Sequence, residues 1–329
     1  MTLSPEVWGR LRSAHIERAE QWTRPHLERR ATGTAHPVMD FLFEYYPYSP
    51  GRLTTWHPGA GVVLAGDVPP EFRRSPYVPT DDGWTVDTEQ IDESRLALVL
   101  RILRGTAGRP AQMNCFGLHE WAMVHRSTDT RHSIPLRLSE DALAGTVEDI
   151  GLRCTHIDAY RFFTPEASPL NAYVPTRESQ PDMEQPGCLH ATMDLYKYAM
   201  WFQQYVPGDL VLDCFDIAVD TRALDMQASP YDLLELGYPP VHIETPEGGA
   251  TTWDGSARLP SVVLNCGLAW PPSSMHYAHT RVSSAHWTSI VSSLRSASSP
   301  STGMPHYCPS RARHRPRSAA SAPGCSPDR

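Results

Sequence analysis

The stretch Cys188-Leu189-His190-Ala191-Thr192-Met193-Asp194-Leu195-Tyr196-Lys197-Tyr198-Ala199-Met200-Trp201 decides the fold class. It belongs to a helix expected over Cys188–Tyr205 that is apolar or aromatic nearly all round. One polar stripe, His190, Asp194 and Lys197, runs along it at i, i+4 and i+7. Asp209 to Met226 is a second clear helix. Working outward, Pro5 to about Thr32 is helical, opened by Ser4-Pro5-Glu6, with Val7, Leu11, Ala14, Arg18, Gln21 and Trp22 at helical spacing. His36–Tyr46 is a short apolar helix stopped by Pro47 and Pro50. Thr88–Arg104, Ala111–His125, Ser139–Ile150 and Pro230–Tyr238 are helical. Short strands are expected at Gly61–Leu64, Ile134–Leu138, Leu152–Asp158 and Val241–Thr245, with residues 68–87 and 165–186 as loops. The expected fold is mainly α with a small β component, in a single helical domain over residues 1–250.

The 329 residues carry 29 basic and 37 acidic groups, a net charge of −8. Composition changes near residue 250. Residues 251–329 contain 17 Ser, eight Arg, two Asp and no Glu or Lys. That leaves 21 basic and 35 acidic groups in residues 1–250, a charge of −14. Such an acidic domain is a poor phosphate binder. The Ser/Pro/Arg-rich tail, 251–329, buries too little apolar surface to offset its ordering entropy, and is expected to be disordered or a reading-frame shift product. No apolar run reaches the ~20 residues that span a bilayer, and the start lacks the pattern of a secretory signal. The expectation is a soluble cytoplasmic protein with no membrane partner. The seven cysteines form no CxxC pair, which supports neither a zinc knuckle nor a disulfide framework. Most of the first four are expected to be buried thiols.

Chemistry is expected where ionisable residues interrupt apolar helices. In His36-Pro37-Val38-Met39-Asp40-Phe41-Leu42-Phe43-Glu44, residues His36, Asp40 and Glu44 are spaced four apart and would share one face. A carboxylate buried there needs a partner or a raised pKa, and a raised carboxylate can act as a general base at neutral pH. The bland reading pairs Asp40 with an arginine and makes His36 a cap. The stripe His190, Asp194, Lys197 holds the sole lysine of a chain whose other 28 basic residues are Arg, which points to a site where a guanidinium does not serve. An ordinary internal Asp–Lys pair would look the same. His119 and Glu120 sit on a third apolar helix. His156 and Asp158 would share one side of a strand, with Arg161 just beyond. These segments could converge on one cavity. No cofactor is expected. A divalent metal is the alternative, with His190, Asp194 and His156 as its candidate ligands, and such oxygen/nitrogen donors suit Mn, Fe or Zn. The stripe Asp209, Asp213, Asp216, Asp220 is expected to be a solvated face. Neither a GxSxG elbow nor a phosphate-binding GxGxxG loop is present.

The phrases HPVMDFLFEYY (36–46), WHPGAGVVL (56–64), FGLHEWAMV (116–124), LRCTHIDAYRFFTPEASPLNAY (152–173), QPGCLHATMDLYKYA (185–199) and DLLELGYPPVHIETPEG (232–248) together resemble a family of high-GC bacterial proteins that carries the label "3-methyladenine DNA glycosylase". The likeness runs over residues 5–250 and stops at the tail. Similar members belong to natural-product pathways that make aziridine or azabicyclic amino acids of the azinomycin type. That resemblance implies a lyase-type enzyme that closes a nitrogen ring on an amino-acid-derived small molecule by elimination of a leaving group such as sulfate. It also implies a substrate presented on an amino-group carrier protein. In this reading Asp40 is the base and His36 orients it. Lys197 or Arg161 neutralises the departing anion. Glu44, His119, Glu120, His156, Asp158, His190 and Asp194 line the pocket. The labelled activity, excision of alkylated bases with nucleic acid as partner, is the alternative, although neither a helix-hairpin-helix Gly-rich turn nor a zinc-type Cys/His set is found. A non-catalytic subunit that works with a protein partner is the third reading.

Overall fold

The computed structural model describes residues 1–112, 115–127, 130 and 132–245. The tail at 251–329 lies outside the described residues. In chain order the elements are β1 (Thr2–Leu3), α1 (Pro5–Ala31), α2 (Phe41–Tyr45), α3 (Pro50–Leu53), β2 (Val63–Leu64), β3 (Tyr77–Thr80), β4 (Gly83–Val86), α4 (Glu93–Ala107), α5 (Leu118–Ala122), α6 (Glu140–Ile150), α7 (Ile157–Tyr160), α8 (Gln180–Met183), α9 (Leu189–Trp201) and α10 (Gly208–Ala228). The protein is mainly α, with one four-stranded sheet.

The centre is the pair α9 and α10. Eleven of the thirteen residues of α9 are buried, as a helix apolar on every side requires. Val211, Phe215 and Ala218 of α10 are buried in the same apolar cluster as Met193, Tyr196 and Met200 of α9. A second cluster gathers Leu118, Trp121 and Ala122 of α5 with Leu143, Val147, Leu152 and Cys154. Cys115, Cys154, Cys188 and Cys214 are buried free thiols.

The long first helix forms where its Ser-Pro-Glu start predicts, but it buries a different face. Trp8, His15, Ala19, Thr23 and His26 point inward, whereas Leu11 is 42 % exposed. Polar side chains hold this face: His15 Nε2 meets the Leu53 carbonyl at 2.9 Å, and Arg18 reaches Asp213 of α10 at 2.7 Å. Hydrophobicity could not mark a contact made by histidines and an arginine. The same ion pair corrects the reading of the α10 acidic stripe. Arg18 holds Asp216 as well as Asp213, and Trp22 Nε1 donates to Asp216 at 2.7 Å, so this part of the stripe is half-buried against α1.

The sheet has the order β1-β2-β4-β3, with β1 and β2 parallel and the other pairs antiparallel. Residues 68–87 are therefore not all loop. Asp81-Asp82 turns a two-residue hairpin, and Pro79 sits on the edge strand, where a missing N–H does least harm. Gly83 has φ +143°, and a Cβ there would meet the Leu64 carbonyl oxygen at 2.1 Å.

Several helices and strands are shorter than periodicity predicts. Of 36–46 only Phe41–Tyr45 is helical, and of 111–125 only Leu118–Ala122 among the described residues. Residues 134–138 and 152–158 supply single bridges, Leu136 to Tyr231 and Leu152 to Asn171. Pro230–Tyr238 holds one 3₁₀ turn, Leu234–Leu236, and 241–245 is a turn rather than a strand. In each case apolar side chains are buried by distant contacts without the backbone becoming regular.

A buried chamber of ionisable side chains

Where α5, α7, α8, α9 and α10 meet, charged and polar groups displace the apolar core. His119, Glu120, His156, Asp158, Glu184, His190, Asp194, Arg222 and Asp225 are all buried. His156 and Asp225 are 0 % exposed and Arg222 is 1 % exposed. Ionisable groups this deep need partners, since an unpaired charge in such a medium costs several kcal/mol or more.

The inner half is built on α5 and α10. His119 Nε2 lies 2.8 Å from Asp225 Oδ1. Arg222 Nη1 donates to Asp225 Oδ2 at 2.9 Å and to Glu120 Oε1 at 2.8 Å, and its guanidinium lies 3.8 Å over the Phe41 ring. Burial alone would lower the pKa of His119, but Asp225 outweighs it and lifts it to about 9. Asp225 is held well below the usual carboxylate range, its burial being outweighed by His119 and Arg222.

The outer half is built on α7, α8 and α9. His156 Nδ1 accepts the Asp158 N–H at 3.2 Å and so caps α7. Its Nε2 lies 2.9 Å from Glu184 and 3.4 Å from Asp194. Burial lowers the pKa of this imidazole, but the two carboxylates outweigh it and raise it to about 10. Tyr46 donates to Asp194 Oδ1 at 2.9 Å, and Lys197 is paired with Asp194 Oδ2. Lys197 Nζ also stands 3.7 Å from Asp158, which is gripped by Arg177 and by Arg161 Nε at 3.3 Å. Arg161 and Arg177 are exposed, so this end of the network opens to solvent. His190 joins the halves, its ring centre 4.5 Å from that of His119 and 5.5 Å from that of His156. Burial and these two neighbours hold it far below its ordinary pKa.

The structure thus brings together His119, Glu120, His156, Asp158, Arg161, His190, Asp194 and Lys197, and leaves out His36, Asp40 and Glu44. Asp40 is buried, but its carboxylate takes His26 Nδ1 at 2.8 Å, Arg29 Nε at 3.1 Å and the His36 N–H at 2.8 Å. Burial would raise its pKa; Arg29 and His26 outweigh it and lower it to about 2. The expected raised carboxylate is therefore absent, and with it the ground for a general base. His36 Nδ1 accepts the Val38 and Met39 N–H groups at 3.2 Å each, a cap of the turn before α2. Glu44 is exposed. Because the helix starts only at Phe41, these three residues never share a helical face. His156 and Asp158 likewise stand on a helix start rather than a strand.

Sequence reading missed Asp225, Arg222, Glu184, Tyr46 and Arg177. For two of them a signal existed. Val211, Phe215 and Ala218 define the apolar face of α10, and the next positions on that face are Arg222 and Asp225. Two sets of donors have metal-ligand character, His119 with Glu120 and Asp225, and His156 with Glu184 and Asp194, the ligand atoms of each lying within 4.8 Å of one another. No described helix is long and apolar enough to cross a membrane. Comparison of the chain with known protein families, with curated proteins and with solved structures finds no match.

Proposed function

We propose that the chain is an enzyme that acts on a small anionic molecule, closing a nitrogen ring on an amino-acid-derived substrate as an anionic group such as sulfate departs. What supports this reading is the outer end of the chamber, where Lys197, Arg161 and Arg177 surround Asp158. Three cations beside a buried carboxylate suit a substrate that carries an amine and an anion. The substrate amine meets Asp158, and the leaving group meets the cations. The lone pair of the neutral amine forms the new C–N bond, the C–O bond breaks with its electrons on the departing sulfate, and the nitrogen then releases its proton to solvent at the open end of the chamber. Asp158, held below its ordinary range despite its burial by Arg177 and Lys197, orients the amine. Lys197, 14 % exposed at its side chain and seated over Tyr198 and Trp201, stabilises that anion more strongly than it could in water.

The test is release of inorganic sulfate from a sulfate ester of an amino-alcohol amino acid. Turnover by the wild type, lost by at least about a hundredfold in Lys197→Met and Asp158→Asn, supports the reading. Equal rates in these variants, or no sulfate release by the folded wild type from a panel of such esters, sinks it. Retardation of alkylated duplex DNA at low salt, together with base release, would put the glycosylase reading in its place.

A further inference from the structure

The inner half of the chamber gathers three ligand atoms from two helices, α5 and α10. His119 Nε2 and Asp225 Oδ1 form an ion pair at 2.8 Å, and neither atom has a further hydrogen-bond partner among the described residues. Glu120 brings the third ligand atom of the set, all within 4.8 Å. A first-row ion about 2.1 Å from each donor would hold its ligand atoms roughly 3–4 Å apart, so the His119–Asp225 pair would open by a few tenths of an ångström. His190 supplies an independent observation. It is 5 % exposed, its ring packs 4.5 Å from that of His119, and its Nδ1 has no hydrogen-bond partner among the described residues. A buried imidazole nitrogen with no partner among the described residues, beside this set of ligand atoms, is poorly explained by a purely ionic network.

We propose that His119, Glu120, Asp225 and His190 bind one divalent first-row transition ion. Two imidazoles with two carboxylates select the Mn, Fe and Zn class over Mg or Ca, which favour oxygen alone. Arg222 has the place of an orienting partner. It donates to Asp225 Oδ2, the oxygen turned away from His119, and leaves Oδ1 for the ion. The outer set, His156 with Glu184 and Asp194, is the weaker candidate. His156 Nδ1 accepts a backbone N–H, so in the neutral ring the proton stays on Nε2, the atom that faces the carboxylates. This assignment stands apart from the ring-closing reading, because it is tested by metal content and not by turnover.

The full chain, purified without a histidine tag and stripped with a chelator, is titrated with Co²⁺, Zn²⁺ and Mn²⁺. The expected result is one bound equivalent per chain, a d–d absorption band with Co²⁺, and a melting temperature that rises with free ion concentration. His190→Gln removes a ligand that belongs to no ion pair, and it should weaken Co²⁺ binding at least about tenfold with an unchanged circular dichroism spectrum. His119→Gln should do the same where it folds, whereas His156→Gln should leave the affinity unaltered. Absence of saturable binding of all three ions to the folded wild type overturns the proposal in favour of an ionic network alone. So does an unaltered affinity in His190→Gln, or a loss confined to His156→Gln.

Discussion

His190 of α9 packs between His119 of α5 and His156 before α7, with ring centres 4.5 and 5.5 Å away, and so links two sets of buried carboxylates that are far apart in the chain. The chamber is accordingly one network and not two separate ion pairs. Its inner end is sealed by Arg222, and its outer end reaches solvent through Arg161 and Arg177.

Arg222 is the cation that compensates Glu120 and Asp225. Arg222→Leu leaves Glu120 without its buried cation and Asp225 with His119 alone, and its expected cost is about 3–5 kcal/mol, the range for breaking a buried pair by removing one member. Urea unfolding followed by circular dichroism measures it. A midpoint equal to that of the wild type would mean that the guanidinium is not holding the pair.

Asp40 ties α1 to the turn before α2. Its folded-state pKa, about 2, lies below the ordinary value of 3.8, so its contribution to stability is present above the ordinary value and is lost as pH falls through about 2. Asp40→Asn should therefore melt lower than the wild type at pH 7 and show a flatter dependence between pH 5 and pH 2. Turnover, where the folded variant is assayed, should persist, contrary to the role expected from sequence. Melting curves across that range and one rate measurement decide both points.

Tyr46 gives its hydroxyl proton to Asp194 at 2.9 Å in the buried interior. Tyr46→Phe keeps the ring and its edge contact with Tyr196 but removes one bond to a charged acceptor, at an expected cost of about 1.5–3 kcal/mol. The comparison is a urea midpoint for the two proteins at one pH. An unchanged midpoint would show that Lys197 and His156 hold Asp194 without it.

Gly83 occupies a φ of +143° with the Leu64 carbonyl against its missing side chain. Gly83→Ala is expected to lower the melting temperature by an amount corresponding to at least about 1–3 kcal/mol, since it adds a clash to a strained backbone. Gly61→Ala serves as a control with positive φ but open space around it, and it should cost less. A reversed order would refute the close-approach explanation of Gly83.

Much of the chamber was legible in sequence. His119, Glu120, His156, Asp158, His190, Asp194 and Lys197 stand out because each interrupts an apolar run, and burial of a charge has few structural excuses. Arg222 and Asp225 carried the same mark but were overshadowed by the four aspartates of the neighbouring stripe. Glu184 sits in a Pro-rich irregular segment with no periodicity against which to stand out. Asp40 shows the limit of the criterion: a buried carboxylate beside apolar residues looks alike whether it is free or locked by Arg29, a helix turn and a loop away.

The mainly helical character, the central position of the segment 188–201 and the start of α1 were determined by sequence alone, because side-chain periodicity and capping are local properties. Which ionisable groups became neighbours was decided by tertiary structure. Their pairing depends on the packing of α5, α7, α8, α9 and α10, and Coulomb interaction at about 3 Å in a medium that excludes water has no counterpart in the linear order of the chain.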